Sequence, residues 1–277
     1  MDRHIELTEV KNTYITIEEA KQMNGLRLVL GEYPIPGPWR ESCKSIFFVK
    51  NIPYKSVRTS NEGCSDLMIG ANNSQSELIE LTGQSSAPVA MWNNERPRST
   101  WVEQLNLAER LEPNPPLIPR DINERALMFG LINELAGENG LAWSQRLFMA
   151  HGPLTSLPEN HESRGFWNLL GSKYGYDEKI VASAKIRIIE VLQKFGELVD
   201  ARKGDYLLPS GFSALDIYWA CFIGLFKPME PTKCPMGTDF RPVYSSDDVD
   251  VNNAISKKAL AHRDLVYDRH LELPIVF

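Results

Sequence analysis

A proline-rich segment, EPNPPLIP at residues 112–119, divides the 277-residue sequence into two halves of different character. Four of its eight residues are proline, so it cannot continue a helix or lie at the centre of a sheet. Before this segment, short apolar runs alternate with helical patterns, whereas nearly every later segment has helical periodicity. A stiff, extended stretch of this kind is typical of a domain linker. The sequence therefore predicts an α/β unit followed by an all-helical unit.

The first half predicts an N-terminal arm at residues 1–25 and an α/β domain at residues 26–111. Apolar runs predict strands at 26–30, from residue 52 and at 89–92, and a helix begins at Pro38, because proline lacks only an N–H that this position does not need. The order strand, helix, strand predicts a right-handed βαβ unit with two parallel strands. Asn93 and Asn94 predict a hairpin turn, since asparagine tolerates positive φ. Residues 95–97 should return as an edge strand, and Ser99 should cap a helix that runs to about Leu111.

Residues 120–277 are predicted to form an all-helical domain with a C-terminal tail. Ser213 and Asp216 form a capping box before an apolar segment, which predicts that the helix they begin is the buried centre of the second half. His262 and His270 lie beside arginines on the last predicted helix, which we interpret as a solvated face. The tail after this helix ends in LELPIVF and should pack back on the body.

Composition narrows the class of protein. Apolar residues make up 43% of the chain and charged residues 24%, which is typical of a globular protein. A net charge of −6 gives no reason to expect a nucleic acid or an anionic membrane as partner. The first ten residues contain no apolar core, so we expect no signal peptide, and the longest apolar run is too short to span a bilayer. Four cysteines without a C-x-x-C pair favour free thiols in the cytoplasm over disulfides or a metal site.

Three motifs carry a resemblance to the glutathione transferase superfamily over residues 26 to about 226. SAPV resembles the family's cis-proline at the start of the third strand, PRSTWV its acidic residue or Gln followed by Ser, and GFSALDI its capping box in the helical domain. The resemblance implies a thioredoxin-like domain that binds glutathione as substrate and an all-helical domain that binds a hydrophobic electrophile. It also implies a detoxification enzyme that forms a homodimer.

The corner GEYPIPGPWRES holds the predicted reactive position. Aligned with the family, Pro38 matches the proline of its S-P or C-P motif, so Gly37 stands where other members carry the reacting hydroxyl or thiol. Arg40 occupies the place of a second cysteine, and we therefore do not expect disulfide exchange. Tyr33 matches the phenol of the tyrosine-type members and is the predicted thiolate-stabilising donor. Tyr33 is nearly as well interpreted as an aromatic residue that covers the edge of the sheet. Further candidates for the donor to the thiolate are Ser42, Trp39 and a backbone N–H at the start of the helix.

The resemblance assigns the other glutathione contacts. The backbone of Ala87, before a cis Pro88, should pair with the cysteinyl part of glutathione, and the Ser99 hydroxyl should bind the γ-glutamyl carboxylate. Arg98 departs from the family, because an acidic residue or Gln usually meets the γ-glutamyl ammonium there. Trp39 or Arg98 would complete that end of the site. The alternative is a non-catalytic relative that binds apolar ligands or a protein, which Gly37 and Arg98 favour.

Overall fold

A computed structural model describes residues 14–31, 35–59, 75–237 and 240–277. Its sheet has three strands in the order β2-β1-β3, with β1 at Leu26–Val29, β2 at Tyr54–Val57 and β3 at Val89–Trp92. The β1 and β2 strands are parallel, with Leu26 opposite Tyr54, and β1 and β3 are antiparallel, with Leu26 opposite Trp92. The predicted βαβ unit is therefore confirmed.

Helices cover both faces of this sheet. Their bounds in the first half are α1 Ile17–Lys21, α2 Pro38–Val49, α3 Ser76–Thr82 and α4 Trp101–Leu111. Leu28 and Ala90 belong to the larger apolar core together with residues of α2 and α4, whereas Val29 and Val89 belong to a smaller cluster with residues of α1 and α3. The alternation follows from the two-residue period of a strand, which sends neighbouring side chains to opposite faces.

The arm and the hairpin differ in part from the sequence prediction. Ile15 forms a parallel bridge with Val57, so the described end of the arm extends the sheet. The hairpin turn at Asn93 is confirmed by its φ of 45°, but the returning chain pairs only where Arg98 lies opposite Ala90. Thr100, rather than Ser99, caps α4 through a reciprocal box with Glu103, because the chain is still extended at Thr100.

The second half consists of helices and short 3₁₀ turns. Its core lies around α9, in which every residue from Ala214 to Phe222 is buried. The predicted Ser213–Asp216 capping box is confirmed. The helices are α5 Ile122–Ala136, α6 Leu141–Ser156, α7 Arg164–Tyr174, α8 Val181–Ala201, α9 Ala214–Phe222, α10 Val249–Ala254 and α11 Lys257–His270.

The prediction of a solvated face at His262 and His270 is wrong. His262 has no exposed surface, lies 3.1 Å from the Asp216 carboxylate and contacts the Arg202 guanidinium. His270 stacks on Phe212 at a centroid distance of 3.9 Å. Both residues face the body because α11 packs on α8 and α9, and a polar residue is tolerated there once it has hydrogen-bond partners.

The C-terminal tail packs back on the body, as predicted, and its partners include α2. The Ile275 N–H donates to the Lys233 carbonyl at 2.9 Å, and the Lys44 ammonium donates to the Val276 carbonyl. The Phe277 ring lies 5.5 Å from the Arg40 guanidinium carbon. Among the described residues, no helix combines the length and apolar character needed to cross a membrane.

Candidate active site

The N-terminus of α2 lies at the centre of the predicted site. Gly37 is the N-cap, has extended φ and ψ of −63° and 118°, and provides no side-chain cap, while Pro38 occupies the first helical position. The first intrahelical bond runs from the Glu41 N–H to the Gly37 carbonyl at 2.9 Å. The N–H groups of Trp39 and Arg40 precede this bond, and together with the helix dipole they favour an anion at this end.

Arg40 fixes the corner that leads into α2. Its guanidinium donates to the Gly31 carbonyl at 2.7 Å and also to the Ile35 carbonyl, so one side chain joins both ends of the turn. Glu41 balances the charge at 3.0 Å. Tyr33, the predicted catalytic donor, lies outside the described residues. Ser42 donates to the Trp39 carbonyl at 3.1 Å, in agreement with its interpretation as a helix residue bonded to backbone.

The peptide bond between Ala87 and Pro88 is cis, as predicted. Gln104, which is only 2% exposed, extends from α4 and donates to the Pro88 carbonyl at 2.9 Å. Within the described part of the chain, no hydrogen bond involves the backbone N–H or C=O of Ala87. Because Ala87 precedes β3 and is only half-buried as a residue, its backbone could pair with an extended peptide ligand.

The predicted contacts of the γ-glutamyl group, Arg98 and Ser99, lie between β3 and the N-terminus of α4. Ser99 is half-buried, and its hydroxyl has no hydrogen bond to any described residue, whereas Thr100 and Glu103 are occupied by the capping box. Arg98 forms an ion pair with Glu95 in the hairpin and donates to the Arg96 carbonyl. Arg110 of α4 binds the same Glu95 oxygen at 2.6 Å, so this carboxylate compensates the Arg98 charge only in part. The contact between Arg98 and Glu95 reduces the repulsion that a bare cation would exert on a ligand ammonium.

Trp39 joins the two halves of the molecule. Its indole N–H donates to the Ala136 carbonyl at 2.9 Å, and its ring stacks with Tyr174 and meets Phe222 edge-on, at centroid distances of 6.3 Å and 5.4 Å. The polar end of Trp39 therefore binds the helical half, and only part of its ring surface remains for a ligand. Its predicted contact with the γ-glutamyl group stays a prediction.

The described cysteines are poorly suited to act as nucleophiles. Cys43, Cys221 and Cys234 are buried free thiols. Burial raises the pKa of Cys221 to about 12 and that of Cys234 to about 11, so both thiols stay protonated at neutral pH. No group of three or more His, Cys, Asp or Glu side chains within the described ranges has the arrangement of a metal site.

Sequence reasoning missed Gln104 and the clamping role of Arg40. Gln104 is polar within the α4 pattern, and its burial follows from the carbonyls at Pro88 and Arg98, to which it donates. The resemblance placed Arg40 only as the replacement for a second cysteine. The one available signal was its position after three prolines, which lack N–H donors, because a guanidinium can satisfy several backbone carbonyls at once.

Comparison with solved structures identifies the fold. A glutathione transferase family member from Pseudomonas fluorescens with two glutathione bound has a TM-score of 0.56 and 12% identity, over 91% of this chain and 94% of that one. Glutathione transferase Omega 3C from Trametes versicolor has a TM-score of 0.51 and 13% identity, over 91% and 89%. The beta-etherase LigF from Sphingobium has a TM-score of 0.53 and 14% identity, over 87% and 99%.

No protein-family model matches the sequence, and no curated protein matches it either. The likeness is thus one of structure, with sequence identity far below the level at which function transfers. The described part of this chain contributes a three-stranded sheet, a cis-proline before β3 and a helical second half to that fold. The predicted architecture is confirmed: the chain has the glutathione transferase fold, with a thioredoxin-like N-terminal domain and an all-helical C-terminal domain.

Proposed function

We propose that the protein binds glutathione and transfers its thiolate to an electrophilic small molecule. The observation that carries this proposal is the backbone of Ala87 at a cis-proline, which has no hydrogen bond to any described residue, in the same thioredoxin-like domain as the N-terminus of α2, which lacks a side-chain cap. The first element can pair with a peptide backbone and the second can stabilise a sulfur anion. The bound glutathione of the Pseudomonas structure supports this ligand.

The proposed chemistry requires little from the protein. A free thiol has a pKa near about 8.5, so one donor and a helix N-terminus suffice to increase the thiolate fraction at neutral pH. Tyr33 is the proposed donor to the sulfur, and Ser99 is the proposed partner of the γ-glutamyl carboxylate. In a substitution reaction the sulfur forms a bond to carbon, the leaving group departs with its electron pair, and the thiol proton goes to water.

Three finer proposals follow from the same resemblance. The chain forms a homodimer, acts in the cytoplasm and contributes to detoxification. Sedimentation of the purified protein would test the first of these, and an observed monomer would contradict it.

Calorimetric titration with glutathione tests the central proposal. The parent chain should bind glutathione and show the ultraviolet absorbance of a bound thiolate. Tyr33→Phe should keep the affinity within about threefold and lose most of the thiolate absorbance, because the phenol is proposed to act on the sulfur rather than on the rest of the tripeptide. Tyr176→Phe is the matched control, since its hydroxyl bonds His151 in the helical half at 2.9 Å.

A non-catalytic binding protein is the second candidate, and Gly37 favours it because no side chain is present at the reactive position. Under this alternative, no binding occurs at millimolar glutathione, and Arg98→Ala does not produce thiolate absorbance. If Tyr33→Phe binds glutathione and shows normal thiolate absorbance, glutathione remains the proposed ligand, but Tyr33 is rejected as the donor to its sulfur.

A further inference from the structure

The side chain of Arg146 lies where four elements meet. Arg146 is on α6, and its guanidinium donates to the hydroxyl of Tyr244 at 3.3 Å and lies beside the side chain of Tyr174, the last residue of α7. The Tyr174 ring stacks on Trp39 of α2. Arg146, Tyr174 and Trp39 are all half-buried, so each keeps part of its surface open to solvent.

The charge of Arg146 has no carboxylate partner among the described residues. The α6 and α7 helices contain no aspartate or glutamate at all. Three other arginines of this half, by contrast, form ion pairs with carboxylates: Arg187 with Glu134, Arg263 with Asp264 and Arg269 with Asp205. A partly buried guanidinium that contacts only neutral groups retains most of its attraction for an anion.

The hydroxyls of Tyr174 and Tyr244 lie beside Arg146 and can donate hydrogen bonds as well as accept them. A hydroxyl that accepts a hydrogen bond from an arginine directs its own hydrogen elsewhere. The Tyr174 side chain is half-buried, so its hydroxyl can donate to the oxygen-rich group that Arg146 attracts, whereas Tyr244 is only 2% exposed and holds the guanidinium in position. Lys173 adds a second cation next to Tyr174, and desolvation of its ammonium together with the Arg146 charge lowers the pKa of Lys173, although its side chain as a whole is exposed. Such donor-only surroundings suit a carboxylate or sulfonate.

Two tryptophan rings, those of Trp143 and Trp39, surround Tyr174 beside Arg146. Trp143 meets Tyr174 edge-on at 4.9 Å and donates its indole N–H to the Tyr174 carbonyl at 3.0 Å. Trp39 stacks on the same tyrosine and belongs to the first turn of α2, whose N-terminus is the proposed position of the glutathione sulfur. A ligand with an aromatic body and its anionic group at Arg146 would lie along these rings, towards the sulfur.

The geometry points to a binding site for organic anions with an aromatic body, such as aryl carboxylates or sulfonates, formed by Arg146, Tyr174 and Trp39, with the buried Tyr244 holding Arg146 in position. This inference rests on the proposed function in one respect, because it names the class of the second substrate. It replaces the hydrophobic electrophile expected from the resemblance with an anionic one.

Two fluorescent probes with the same ring system test the site directly. Anilinonaphthalene sulfonate carries the anion, and N-phenylnaphthylamine lacks it. Arg146→Met should bind the sulfonate on the order of 10- to 100-fold more weakly and the neutral probe nearly as well as the parent does, because only the charged hydrogen bonds are lost. Arg187→Met is the matched control and should change neither affinity.

Two further variants cover the case in which Arg146→Met does not fold. Arg146→Lys keeps the charge and should retain part of the preference for the sulfonate, and Tyr174→Phe keeps the stacked ring but should weaken only sulfonate binding. Unchanged sulfonate affinity in these variants, or equal losses for both probes, would overturn the inference.

Glutathione titration of the same proteins separates this inference from the proposed function. If the sulfonate binds through Arg146 but glutathione does not bind, the anion site stands and the conjugation proposal fails. If glutathione binds and the sulfonate preference is absent, the inference fails alone. Where both bind, the glutathione thiolate should displace chloride from chlorodinitrobenzoate with a higher kcat/KM than from chlorodinitrobenzene. Arg146→Met should remove this difference in kcat/KM.

Discussion

At the scale of single residues, Gly37 leaves the N-cap of α2 without a hydroxyl or thiol that could react. A Cβ built on Gly37 would meet only the Cβ of Arg40, at 3.9 Å, and its φ of −63° suits any residue. Neither space nor backbone conformation therefore requires glycine here. The absence of a hydroxyl or thiol is a property of the sequence that a single substitution can reverse.

Gly37→Cys should create a reactive thiol. At the N-cap of α2 the new thiol lies beside the uncapped N–H groups of the first turn, which lowers its pKa below about 8.5. We expect a gain of thiol transfer, in which the new thiolate accepts glutathione from a mixed disulfide and releases the other thiol, and a second glutathione regenerates it. The measurement is glutathione-dependent reduction of hydroxyethyl disulfide, with the parent chain as background.

Gly37→Ser is the control for this experiment, because it fits the same space and cannot exchange disulfides. A cysteine that titrates at an ordinary pKa and transfers no glutathione would show that the α2 N-terminus does not act on a bound anion. That result would also weaken the proposed function.

At the scale of elements, the sequence predicts helices well where their capping residues are local. Ser213 and Asp216 at α9 form the box that their spacing indicates, because it involves residues only three apart, and Thr16 and Glu19 form a box with the same spacing at α1. The shift of the α4 cap from Ser99 to Thr100 is a one-residue error between two hydroxyl residues, and only the backbone conformation distinguishes them.

Burial of polar residues was not predictable in the same way. His262 is buried because Asp216 and Arg202, which are distant in sequence, meet it in space. Nothing in the composition of α11 indicates these partners. For the same reason the alignment placed Ala87 and Ser99 in the site, but it could not show which of their polar groups are unpaired.

The tail after α11 should make stability depend on pH. Glu272 lines a small pocket with Glu41 and Lys44 of α2. Burial raises the pKa of Glu272, Lys44 opposes the shift, and Glu41 adds to it. The folded state therefore holds this proton more tightly than the unfolded state, so the free energy of unfolding should fall as pH rises from about 4.5 through the raised value.

Glu272→Gln removes this ionisation and should raise the melting temperature at neutral pH, with the difference from the parent vanishing near pH 4.5, the ordinary value for the carboxyl. Thermal unfolding across this range is the measurement. Glu230→Gln serves as control because Glu230 is exposed. A lower melting temperature for Glu272→Gln at neutral pH would mean that the ionised carboxylate stabilises the tail through Lys44.

At the scale of the whole molecule, Lys50 ties the proline linker to the first domain. The Lys50 side chain has no exposed surface and follows α2 directly. Its ammonium donates to the carbonyls of Glu112 and Pro115, at 2.6 Å and 2.9 Å, and forms an ion pair with Glu109 at 2.7 Å. Glu109 in turn accepts the Leu117 N–H at 2.8 Å. One buried cation thus sets the direction in which the chain leaves α4 for the helical half.

Lys50→Met preserves the length of the side chain and removes the charge. It leaves two carbonyls and the Glu109 carboxylate without their donor, so we expect the free energy of unfolding to drop by about 2–4 kcal/mol. Urea denaturation measures this loss, and Lys55→Met on the exposed surface of β2 should stay within about 0.5 kcal/mol of the parent. If Lys50→Met were as stable as Lys55→Met, water would replace the ammonium at the linker, and the junction between the two domains would depend mainly on apolar contacts and on the bond from Trp39 to Ala136.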